Sequence, residues 1–447
     1  MASVIPAIAR KKIIVIVGTT GVGKSQLSID LASKFNGEVI NSDSMQVYKH
    51  VSTVNNKHPL EERNGIPHHV MDLIDLDDDY NIHKFEKDCL QSIRSIHSRG
   101  KLPIVVGGTH YYLQSLFDKK IDQDYNSDLI DPNHKLFLEE NDSNYKVLYE
   151  RLCQIDPYVS TKFHPNDGRR IKRMLEIFYS TGQKPSDIFT NQKFNLKFDT
   201  LFLWVYSNPA ELSARLDLRV DKMMKVGSGG LEDVQLLYKL YQHGKMTPQS
   251  LDHGIWQVIG FKEFLPWLLD GEKDAGKFQE GIERMKIKTR QYAKSQVKWI
   301  KNTLIPDIKG SNMYILDATD LSKWHQLVAE TAEPIVQKFL EDDKALEGVV
   351  QAPDHLQSLL ESDFHKNSKN VDNPKTLNLG KKYVCEICHD KDQDKLIFIG
   401  DKSWSDHLNG RKHRTTIRKT EKRKNYEIWK LKQQNTEENE TAKNISS

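Results

Sequence analysis

Short apolar runs rich in β-branched residues recur along the chain and predict the strands of a buried sheet. The first run is Ile13–Val17, five consecutive Ile and Val residues that end at Gly18. A continuous run of this kind is typical of a parallel strand covered on both faces. Further runs lie at residues 38–40, 103–106, 201–206 and 313–316. A helix-length segment at residues 25–34 separates the first two runs, so the order strand, helix, strand predicts an α/β core.

The pattern changes between residues 118 and 200, where the chain is polar and poor in strands. Arg169–Tyr179 alternates basic and apolar residues at helical spacing, which predicts a helical insertion between core segments 1–117 and 201–335. Gly227–Gly230 marks a break between helices, and a long basic helix is expected from about 281 to 301. Residues 336–380 lack sustained periodicity and are interpreted as a linker. The polar residues 433–447 are expected to be disordered.

Composition excludes several classes of protein. The chain has 447 residues, and its longest apolar runs are far shorter than the ~18 residues of a membrane span, so we expect no membrane contact. The first ten residues contain no apolar stretch, which argues against a secretory signal. Four cysteines in a chain of this length indicate a reducing compartment, and Cys89 and Cys153 are interpreted as small buried hydrophobes. We expect a cytoplasmic protein, with the mitochondrion and nucleus left open.

Basic charge is concentrated in two segments, although the net charge is only +3. Ten Lys and Arg residues and two Glu lie between Arg411 and Lys432. Seven Lys and Arg residues and no acid lie between Arg284 and Lys301. Such clusters are typical of a protein that binds a polyanion. The alternative, that each is only the solvated face of a helix, remains open for either segment taken alone.

A phosphate-binding loop is predicted where GTTGVGKS follows the first apolar run and precedes the first helix. Its glycines let successive backbone N–H groups surround phosphate oxygens, Lys24 supplies a cation, and the hydroxyl of Ser25 can ligate Mg²⁺. The motif therefore predicts a bound pyrophosphate-like group. It leaves open whether that group belongs to ATP, GTP or another compound.

Asp43 follows the second predicted strand and so reaches the carboxyl edge of the sheet, beside the phosphate loop. A carboxylate there can bind metal through water or take a proton from an acceptor, or it can cap the next helix. The third predicted strand ends in Gly107-Gly108-Thr109, where a standard phosphate-loop NTPase usually has a metal-binding acid. This departure argues against ordinary ATP hydrolysis and favours another pyrophosphate compound.

Four residues near the C-terminus have the spacing of a zinc site. Cys385 and Cys388 are followed, after eighteen residues, by His407 and then His413. Two thiolates and two imidazoles fill the tetrahedral shell of Zn²⁺, which predicts a structural Cys₂His₂ finger. The gap exceeds the ~12 residues of the short DNA-reading finger and resembles the matrin type found in RNA-associated proteins. The finger and its basic tail are predicted over residues 381–432.

Eight blocks in one order carry a resemblance to a known family. They are GTTGVGKS (18–25), DSMQVYK (43–49), GIPHHVMD (65–72), VVGGTHYYLQ (105–114), RRIKRMLEI (169–177), RLDLRVDKM (215–223), VIGFKEF (258–264) and TRQYAKSQVKW (289–299). The chain resembles the tRNA dimethylallyltransferases, which prenylate adenosine 37 beside the anticodon, in their eukaryotic form with a zinc finger. The resemblance covers about residues 11 to 320 and the finger.

The resemblance implies a donor, an acceptor and a set of catalytic residues. The donor is dimethylallyl diphosphate, and the partner is the anticodon stem-loop of tRNA. Asp43 is implied to take the proton from N6 of adenine. Thr20, Lys24, Mg²⁺ on Ser25 and an arginine are implied to stabilise the departing diphosphate. The arginine is Arg219 by resemblance, although Arg215 lies one turn away. The implied diphosphate-binding residues are Gly18, Thr19, Thr20, Gly21, Val22, Gly23, Lys24 and Ser25.

A larger set of residues is expected to contact tRNA. Lys286, Arg290, Lys294 and Lys298 recur every four residues, which favours one basic stripe on a helix and contact with backbone phosphates. The residues implied by resemblance are Asp43, Ser44, Met45, Gln46, Thr109, Arg169, Arg170, Ile171, Lys172 and Arg173. His68 and His69 are assigned no chemistry. A monomer is the expected oligomeric state.

Three other functions account for part of the sequence. A phosphate-loop kinase or NTPase explains the loop but not the basic helix or the finger. An enzyme that prenylates free adenine nucleotides would have a similar donor site, yet it needs neither the insertion nor the finger. A non-catalytic RNA-binding protein explains the finger but not the combination of Thr20, Asp43 and Arg219.

Overall fold

The structure, a computed structural model, describes residues 11–118, 129–190, 195–244, 251, 253–308, 312–341, 346–360, 381–390 and 394–445, with side chains up to residue 430. The chain divides into two compact units. The first contains residues 1–119 and 193–370, and the second contains residues 120–192 and 371–447. No helix in the described ranges is long and apolar enough to cross a membrane.

A six-stranded parallel sheet forms the centre of the first unit. The strands of the chain are β1 Lys12–Gly18, β2 Gly37–Asn41, β3 His68–His69, β4 Leu102–Val106, β5 Phe117–Asp118, β6 Asn195–Leu196, β7 Asp199–Tyr206, β8 Met313–Asp317, β9 Lys382–His389 and β10 Lys395–Ile399. The sheet order is β3-β2-β4-β1-β7-β8, and every neighbouring pair is parallel. All five apolar runs therefore lie in strands of one sheet, which confirms the predicted α/β core.

Helices cover both faces of this sheet. In chain order, the helices of the two units are α1 Lys24–Lys34, α2 Ile82–Ser98, α3 Pro132–Glu140, α4 Tyr145–Ile155, α5 Pro157–Ser160, α6 Gly168–Thr181, α7 Pro185–Thr190, α8 Pro209–Met223, α9 Gly230–His243, α10 Phe261–Leu269, α11 Ala275–Trp299, α12 Ile305–Ile308, α13 Glu330–Glu341, α14 Asp401–Leu408 and α15 Arg411–Ile445. Alternate residues of β1 enter different apolar clusters, with Val15 in one and Ile16 in the other. This double coverage explains why the strand is an unbroken apolar run.

The linker expected at residues 336–380 is wrong for the part that the structure describes. Helix α13 continues to Glu341, and residues 346–360 return to the sheet, where the Ile315 N–H donates to the carbonyl of Gln351 across 2.7 Å. Leu346, Ala352 and Leu356 are buried there. Burial of these apolar residues holds the segment on the core without a sustained periodic pattern. Residues 361–380 lie outside the described residues.

The second unit combines helices of the insertion with a C-terminal hairpin. Helices α3–α7 enclose an apolar core that includes Leu148, Phe163 and Leu175. Strands β9 and β10 pair antiparallel, and Lys382 on β9 donates a 2.7 Å hydrogen bond to the hydroxyl of Tyr149 on α4. Helix α15 extends to Ile445, so the disorder expected at residues 433–447 is wrong up to that residue. Its many Lys, Arg, Glu and Gln residues have good intrinsic helix propensity.

Candidate active site

The loop between β1 and α1 has the backbone that the glycine pattern predicts. Gly18, Gly21 and Gly23 all have positive φ, at 144°, 82° and 87°. A Cβ on Gly18 would lie 2.3 Å from the carbonyl oxygen of Val205, and one on Gly23 would lie 2.7 Å from Nε1 of Trp324. Only glycine fits these positions, because both the conformation and the available space exclude a side chain.

Polar groups without a partner are gathered around this loop. Lys24 Nζ donates to the carbonyl of Thr19 across 2.6 Å, and burial lowers the pKa of Lys24 to about 8, with a raising contribution from the charge of Asp43 and a lowering one from Arg219. Within the described part of the chain, Thr19 Oγ1 and Arg219 Nε are buried and have no hydrogen-bond partner. A buried cation and unpaired polar atoms suit a bound polyanion such as diphosphate.

The two arginines of α8 have different surroundings. Arg219 Nη1 donates to the hydroxyl of Thr20 across 3.0 Å, and burial lowers the pKa of Arg219 to about 10. Arg215 instead donates to three backbone carbonyls, those of Gly21, Ala318 and Thr319, at 3.0–3.2 Å. The guanidinium of Arg215 is therefore engaged in holding backbone segments together, whereas that of Arg219 reaches the hydroxyl of the phosphate loop.

Asp43 lies two residues beyond the end of β2 and interacts electrostatically with Lys24 of the phosphate loop. Its Oδ1 accepts a 3.0 Å hydrogen bond from the Met45 N–H, and its own N–H donates to Asn41 Oδ1 across 3.0 Å. Burial raises the pKa of Asp43, while the Met45 N–H, Lys24 and the Gly108 N–H act in the lowering direction. No helix starts among the residues directly after Asp43, which the structure describes as turns, so the helix-cap alternative is wrong.

The segment after β4 explains the missing acid of the third predicted strand. A Cβ on Gly107 would lie 2.1 Å from the carbonyl carbon of Ser42, so the ends of β4 and β2 meet through backbone alone. Thr109 fastens the contact, because its N–H donates to the Ser42 carbonyl across 3.1 Å and its hydroxyl oxygen accepts from the Ser44 N–H across 2.9 Å. A carboxylate at Gly107 has no room in this arrangement.

Three residues that the sequence reasoning did not single out complete the site. Gln296 and Tyr292, on α11, both donate to the carbonyl of Gly108, at 2.9 and 3.0 Å. His110 Nε2 accepts a 3.3 Å hydrogen bond from the Gly18 N–H, and burial, with Lys24 acting in the same direction, lowers the pKa of His110 to about 3. The imidazole is therefore neutral at physiological pH. The sequence contains a signal for Gln296, because its polar side chain falls on the same buried face of α11 as Met285.

Other predicted contact residues near Asp43 have structural partners. The side-chain amide of Gln46 donates to the carbonyls of Asn55 and Asn56, each at 3.1 Å. The Met45 side chain is half-buried and packs against the apolar core. Both residues lie beside the site, and their side chains also make contacts that stabilise the fold.

Two of the four residues in the predicted basic stripe of α11 form ion pairs with acids, and the other two are exposed. Lys286 Nζ lies 2.9 Å from Asp221 of α8 and 3.0 Å from Glu283, and Arg290 pairs with Asp217 of α8. Lys294 and Lys298 are exposed. Half of the predicted stripe thus meets acids of a neighbouring helix, which the spacing of the basic residues did not indicate.

The predicted basic segment of the insertion begins α6. Ile171 is fully buried in the core of the insertion, and its contact with tRNA stays a prediction. The basic residues around it lie at the surface, where Arg169 is exposed, Arg170 pairs with Asp167, Lys172 with Asp142, and Arg173 with Glu176. Amphipathic spacing explains the burial of Ile171, because one position in this run must face the core.

His69 belongs to a cluster of ionisable residues around one buried carboxylate. Its Nε2 lies 2.7 Å from Glu38, which is 3% exposed and also pairs with Arg99 and Lys101. Burial acts to raise the pKa of Glu38, but hydrogen bonds from Lys101, His69 and Arg99 outweigh it and bring the pKa to about 2. His69 therefore has a structural partner.

Two cysteines and two histidines converge in the second unit. The ligand atoms of Cys385, Cys388, His407 and His413 all lie within 4.8 Å of one another. His413 Nδ1 lies 3.6 Å from Cys385 Sγ and 3.4 Å from Cys388 Sγ. Zn–S and Zn–N bonds of about 2.3 and 2.0 Å in a tetrahedral shell imply an S···N separation of about 3.5 Å, so the cluster fits Zn²⁺.

Aromatic packing supports this cluster. Tyr383 stacks on Trp404 with ring centroids 5.4 Å apart, and Phe398 stacks on His407 at 4.1 Å. These rings supply the small core that a metal-held hairpin requires. The other two cysteines lie elsewhere: Cys89 is buried as expected, whereas Cys153 is only half-buried.

A parallel sheet with a glycine-rich loop after β1, a carboxylate at its carboxyl edge and an arginine of α8 beside that loop is the kind of arrangement that suits an enzyme acting on a phosphate-bearing substrate. A family profile described as IPP transferase matches residues 46–303, and one described as isopentenyl transferase matches residues 11–71. The chain belongs to the IPP transferase family.

Individual relatives cover nearly the whole chain. The tRNA dimethylallyltransferase of Saccharomyces cerevisiae is 50% identical over 96% of this chain and 97% of its own length. That of Homo sapiens is 32% identical over 91% of this chain and 86% of its own length. A crystal structure of a eukaryotic dimethylallyltransferase acting on tRNA superposes with a TM-score of 0.82, at 49% identity, over 94% of this chain and 100% of the other.

Proposed function

We propose that the protein transfers a dimethylallyl group from dimethylallyl diphosphate to N6 of adenosine 37 in the anticodon loop of tRNA. The observation that carries this proposal is that the phosphate loop and the Asp43 carboxylate adjoin: the Gln296 amide joins the Thr20 N–H to the Gly108 carbonyl, and a Cβ on Gly108 would lie 2.9 Å from Asp43 Oδ2. A diphosphate on the loop and an acceptor amine at the carboxylate would therefore meet at one point. The family and the relatives named above support the same reaction.

The reaction forms one bond and breaks another. N6 of adenine bonds to the allylic carbon of the donor, while the bond between that carbon and the diphosphate oxygen breaks and its electron pair leaves with diphosphate. N6 loses one proton, which Asp43 accepts. The exocyclic amine is a weak nucleophile because its lone pair is delocalised into the ring, so removal of the proton as the bond forms lowers the barrier.

Charge builds up on the diphosphate as it departs. Lys24, Arg219 and the Thr20 hydroxyl are the groups we assign to stabilise this charge, together with backbone N–H groups of the loop other than those of Gly18 and Thr20, which donate to His110 and Gln296. Mg²⁺ would be held by the hydroxyl of Ser25 at the start of α1 and would neutralise diphosphate charge when bound. Thr19 Oγ1, buried without a partner among the described residues, fits a ligand in the same place.

The acceptor base has to leave the stack of the anticodon loop, at a cost of about a few kcal/mol. Contacts to the RNA backbone offset that cost. We assign them to the start of α6, to cations of α11 and to residues beside Asp43, namely Ser44, Met45, Gln46, Thr109, Arg169, Arg170, Ile171, Lys172, Arg173, Lys286, Arg290, Lys294 and Lys298. The zinc-held hairpin and the basic helix α15 would add affinity for the same partner.

The protein's place in the cell and its state of assembly are proposals that rest on the sequence. We propose a monomer that acts in the cytoplasm, with the mitochondrion and nucleus as further compartments. Four cysteines, two of them in the zinc-ligand set, suit a reducing compartment.

A transfer assay with paired donors and acceptors tests the proposal. Purified protein with Mg²⁺ receives labelled dimethylallyl diphosphate or γ-labelled ATP as donor, and unmodified tRNA or AMP as acceptor. We expect label only from the prenyl donor into tRNA. Prenyl transfer to AMP would favour an enzyme for free nucleotides, and phosphate transfer from ATP would favour a kinase; either result overturns the proposal.

A further inference from the structure

Helix α11 reaches the active site through one buried polar residue. Gln296 is 3% exposed and continues the buried face of the helix, where Met285, Thr289 and Ala293 precede it. A polar amide at such a position is costly unless both its ends are paired. Its partners therefore indicate what the residue does.

Both ends of the Gln296 amide meet backbone groups of the active site. Its Oε1 accepts from the Thr20 N–H across 2.9 Å, and its Nε2 donates to the carbonyl of Gly108 across 2.9 Å. Thr20 belongs to the phosphate loop, and Gly108 lies beside Asp43, since a Cβ on Gly108 would be 2.9 Å from Asp43 Oδ2. One side chain thus joins the loop that we assign to the donor with the segment that flanks the proton acceptor.

The chemistry of these two bonds selects glutamine. The Thr20 N–H requires an acceptor and the Gly108 carbonyl requires a donor, and a primary amide supplies both at one end of a side chain. A carboxylate would keep the first bond and direct an oxygen lone pair at the carbonyl in the second. A thioether of similar length would leave both groups unpaired.

The exposed side of the same helix carries part of the basic stripe. Lys294 and Lys298 flank Gln296 in the sequence and are exposed. A helix is a rigid element, so a displacement of α11 would move Gln296 and these two lysines together. The surface that we assign to tRNA is therefore built on the element that holds the two catalytic segments.

We propose that Gln296 is a positioning residue that sets the separation between Thr20 and the Asp43 side of the active site, and so acts on the rate of prenyl transfer rather than on the binding of either substrate. This inference rests on the proposed function. Neither Gln296 bond is to a substrate atom, and a misplacement of about 1 Å between reacting groups costs about 10²-fold in rate.

The test compares Gln296→Met, Gln296→Glu and a control, Gln291→Met, whose site is exposed on the same helix. In steady-state transfer from dimethylallyl diphosphate to tRNA, we expect kcat of Gln296→Met to fall by about 10- to 100-fold. The KM for the donor and the Kd for tRNA should stay within about threefold, and Gln291→Met should match the unchanged protein. A loss confined to KM or Kd, with kcat preserved, overturns the proposal.

Hydrogen exchange gives a readout that is independent of activity. The amide exchange of the peptide around Thr20 should become faster in Gln296→Met but stay slow in Gln296→Glu, which retains the acceptor, although both variants lose kcat. Unchanged exchange in Gln296→Met overturns the inference. If Gln296→Met does not fold, the test is made with Gln296→Glu, for which the same loss of kcat and slow exchange are expected. Absence of prenyl transfer by the unchanged protein would instead refute the proposed function, so the two failures are distinguishable.

Discussion

Arg219 donates a hydrogen bond across 3.0 Å to the hydroxyl of Thr20, inside the phosphate loop. The guanidinium reaches this hydroxyl from helix α8, in a region where burial has removed most of its water. A buried cation whose hydrogen bonds are incomplete can stabilise a negative charge that grows at the phosphate loop during the reaction. Arg215, one turn earlier on α8, is instead fixed by backbone carbonyls.

This difference predicts separate effects for the two arginines. We expect Arg219→Gln to lower kcat by about 10²- to 10³-fold, because it removes a donor that stabilises the departing diphosphate. Arg215→Gln should mainly lower the thermal unfolding midpoint, since it leaves three carbonyls with fewer partners. Steady-state kinetics and thermal unfolding of both variants measure this. A larger loss of kcat in Arg215→Gln than in Arg219→Gln would contradict the assignment.

Asp43→Asn should separate catalysis from binding. The amide is close in size to the carboxylate and can still accept the Met45 N–H, but it cannot take a proton from N6. We expect transfer to fall by about 10²- to 10⁴-fold, with tRNA affinity within a few-fold of the unchanged protein. Transfer is measured in a single turnover at saturating tRNA, and affinity by filter binding. Parallel losses of transfer and affinity would remove Asp43 from the catalytic role.

The rate of transfer should fall both at low pH and at high pH, which gives the pH profile an acid limb and an alkaline limb. Asp43 must be ionised to accept a proton, and burial raises its pKa, so activity should fall on the acid side at a pH above the usual carboxylate range. Lys24 must be protonated to hold diphosphate, and its pKa is lowered to about 8, so kcat/KM for the donor should decline above that pH. The profile is measured from pH 5 to 10 in buffers of constant ionic strength.

A comparison of the two kinetic parameters identifies the alkaline group. Bound diphosphate favours the charged form of Lys24, so the alkaline limb of kcat should lie at higher pH than that of kcat/KM. If both limbs coincide, the group that titrates on the alkaline side is not Lys24.

The sequence predicts the parts of this site that depend on local rules. The sheet follows from continuous runs such as Ile13–Val17, and the phosphate loop follows from glycines whose backbone conformation excludes other residues. Spacing alone also predicts that Cys385 and Cys388 form a cluster with two distant histidines, because Cys and His are ligands of Zn²⁺ and stand here at the intervals of a zinc site.

Contacts between segments distant in sequence could not be predicted in the same way. The acids that pair with Lys286 and Arg290 lie on α8, so the periodicity of α11 contains no information about them. Gln296 interrupts an apolar face with a polar residue, and only the three-dimensional positions of Thr20 and Gly108 explain why. Leu346, Ala352 and Leu356 lie in a segment whose apolar residues show no sustained period, so the sequence pattern did not indicate that they are buried.

Loss of one thiolate should release the metal without abolishing the chemistry. We expect Cys385→Ser to reduce zinc from about one equivalent to near zero, because three remaining ligands leave the tetrahedral shell incomplete. The Kd for tRNA should rise, while transfer at saturating tRNA stays largely unchanged. Zinc content is measured by elemental analysis. Cys153→Ser is the control, since that half-buried thiol lies outside the cluster and should leave zinc content intact.

Salt dependence should distinguish exposed cations of α11 from those already paired with acids. Each phosphate contact releases counterions, so removal of one such contact lowers the slope of log Kd against log salt by about 1. We expect this change for Lys294→Ala and for Lys298→Ala, whose side chains are exposed. Lys286→Ala should change the slope less, because Asp221 and Glu283 lie within 3.0 Å of its ammonium and already neutralise it.

Binding of unmodified tRNA is titrated between 50 and 300 mM KCl, roughly the range over which electrostatic contacts are screened. Equal slopes for all three variants would mean that the acids of α8 give way to phosphate when tRNA binds, and that the whole stripe contacts the RNA backbone.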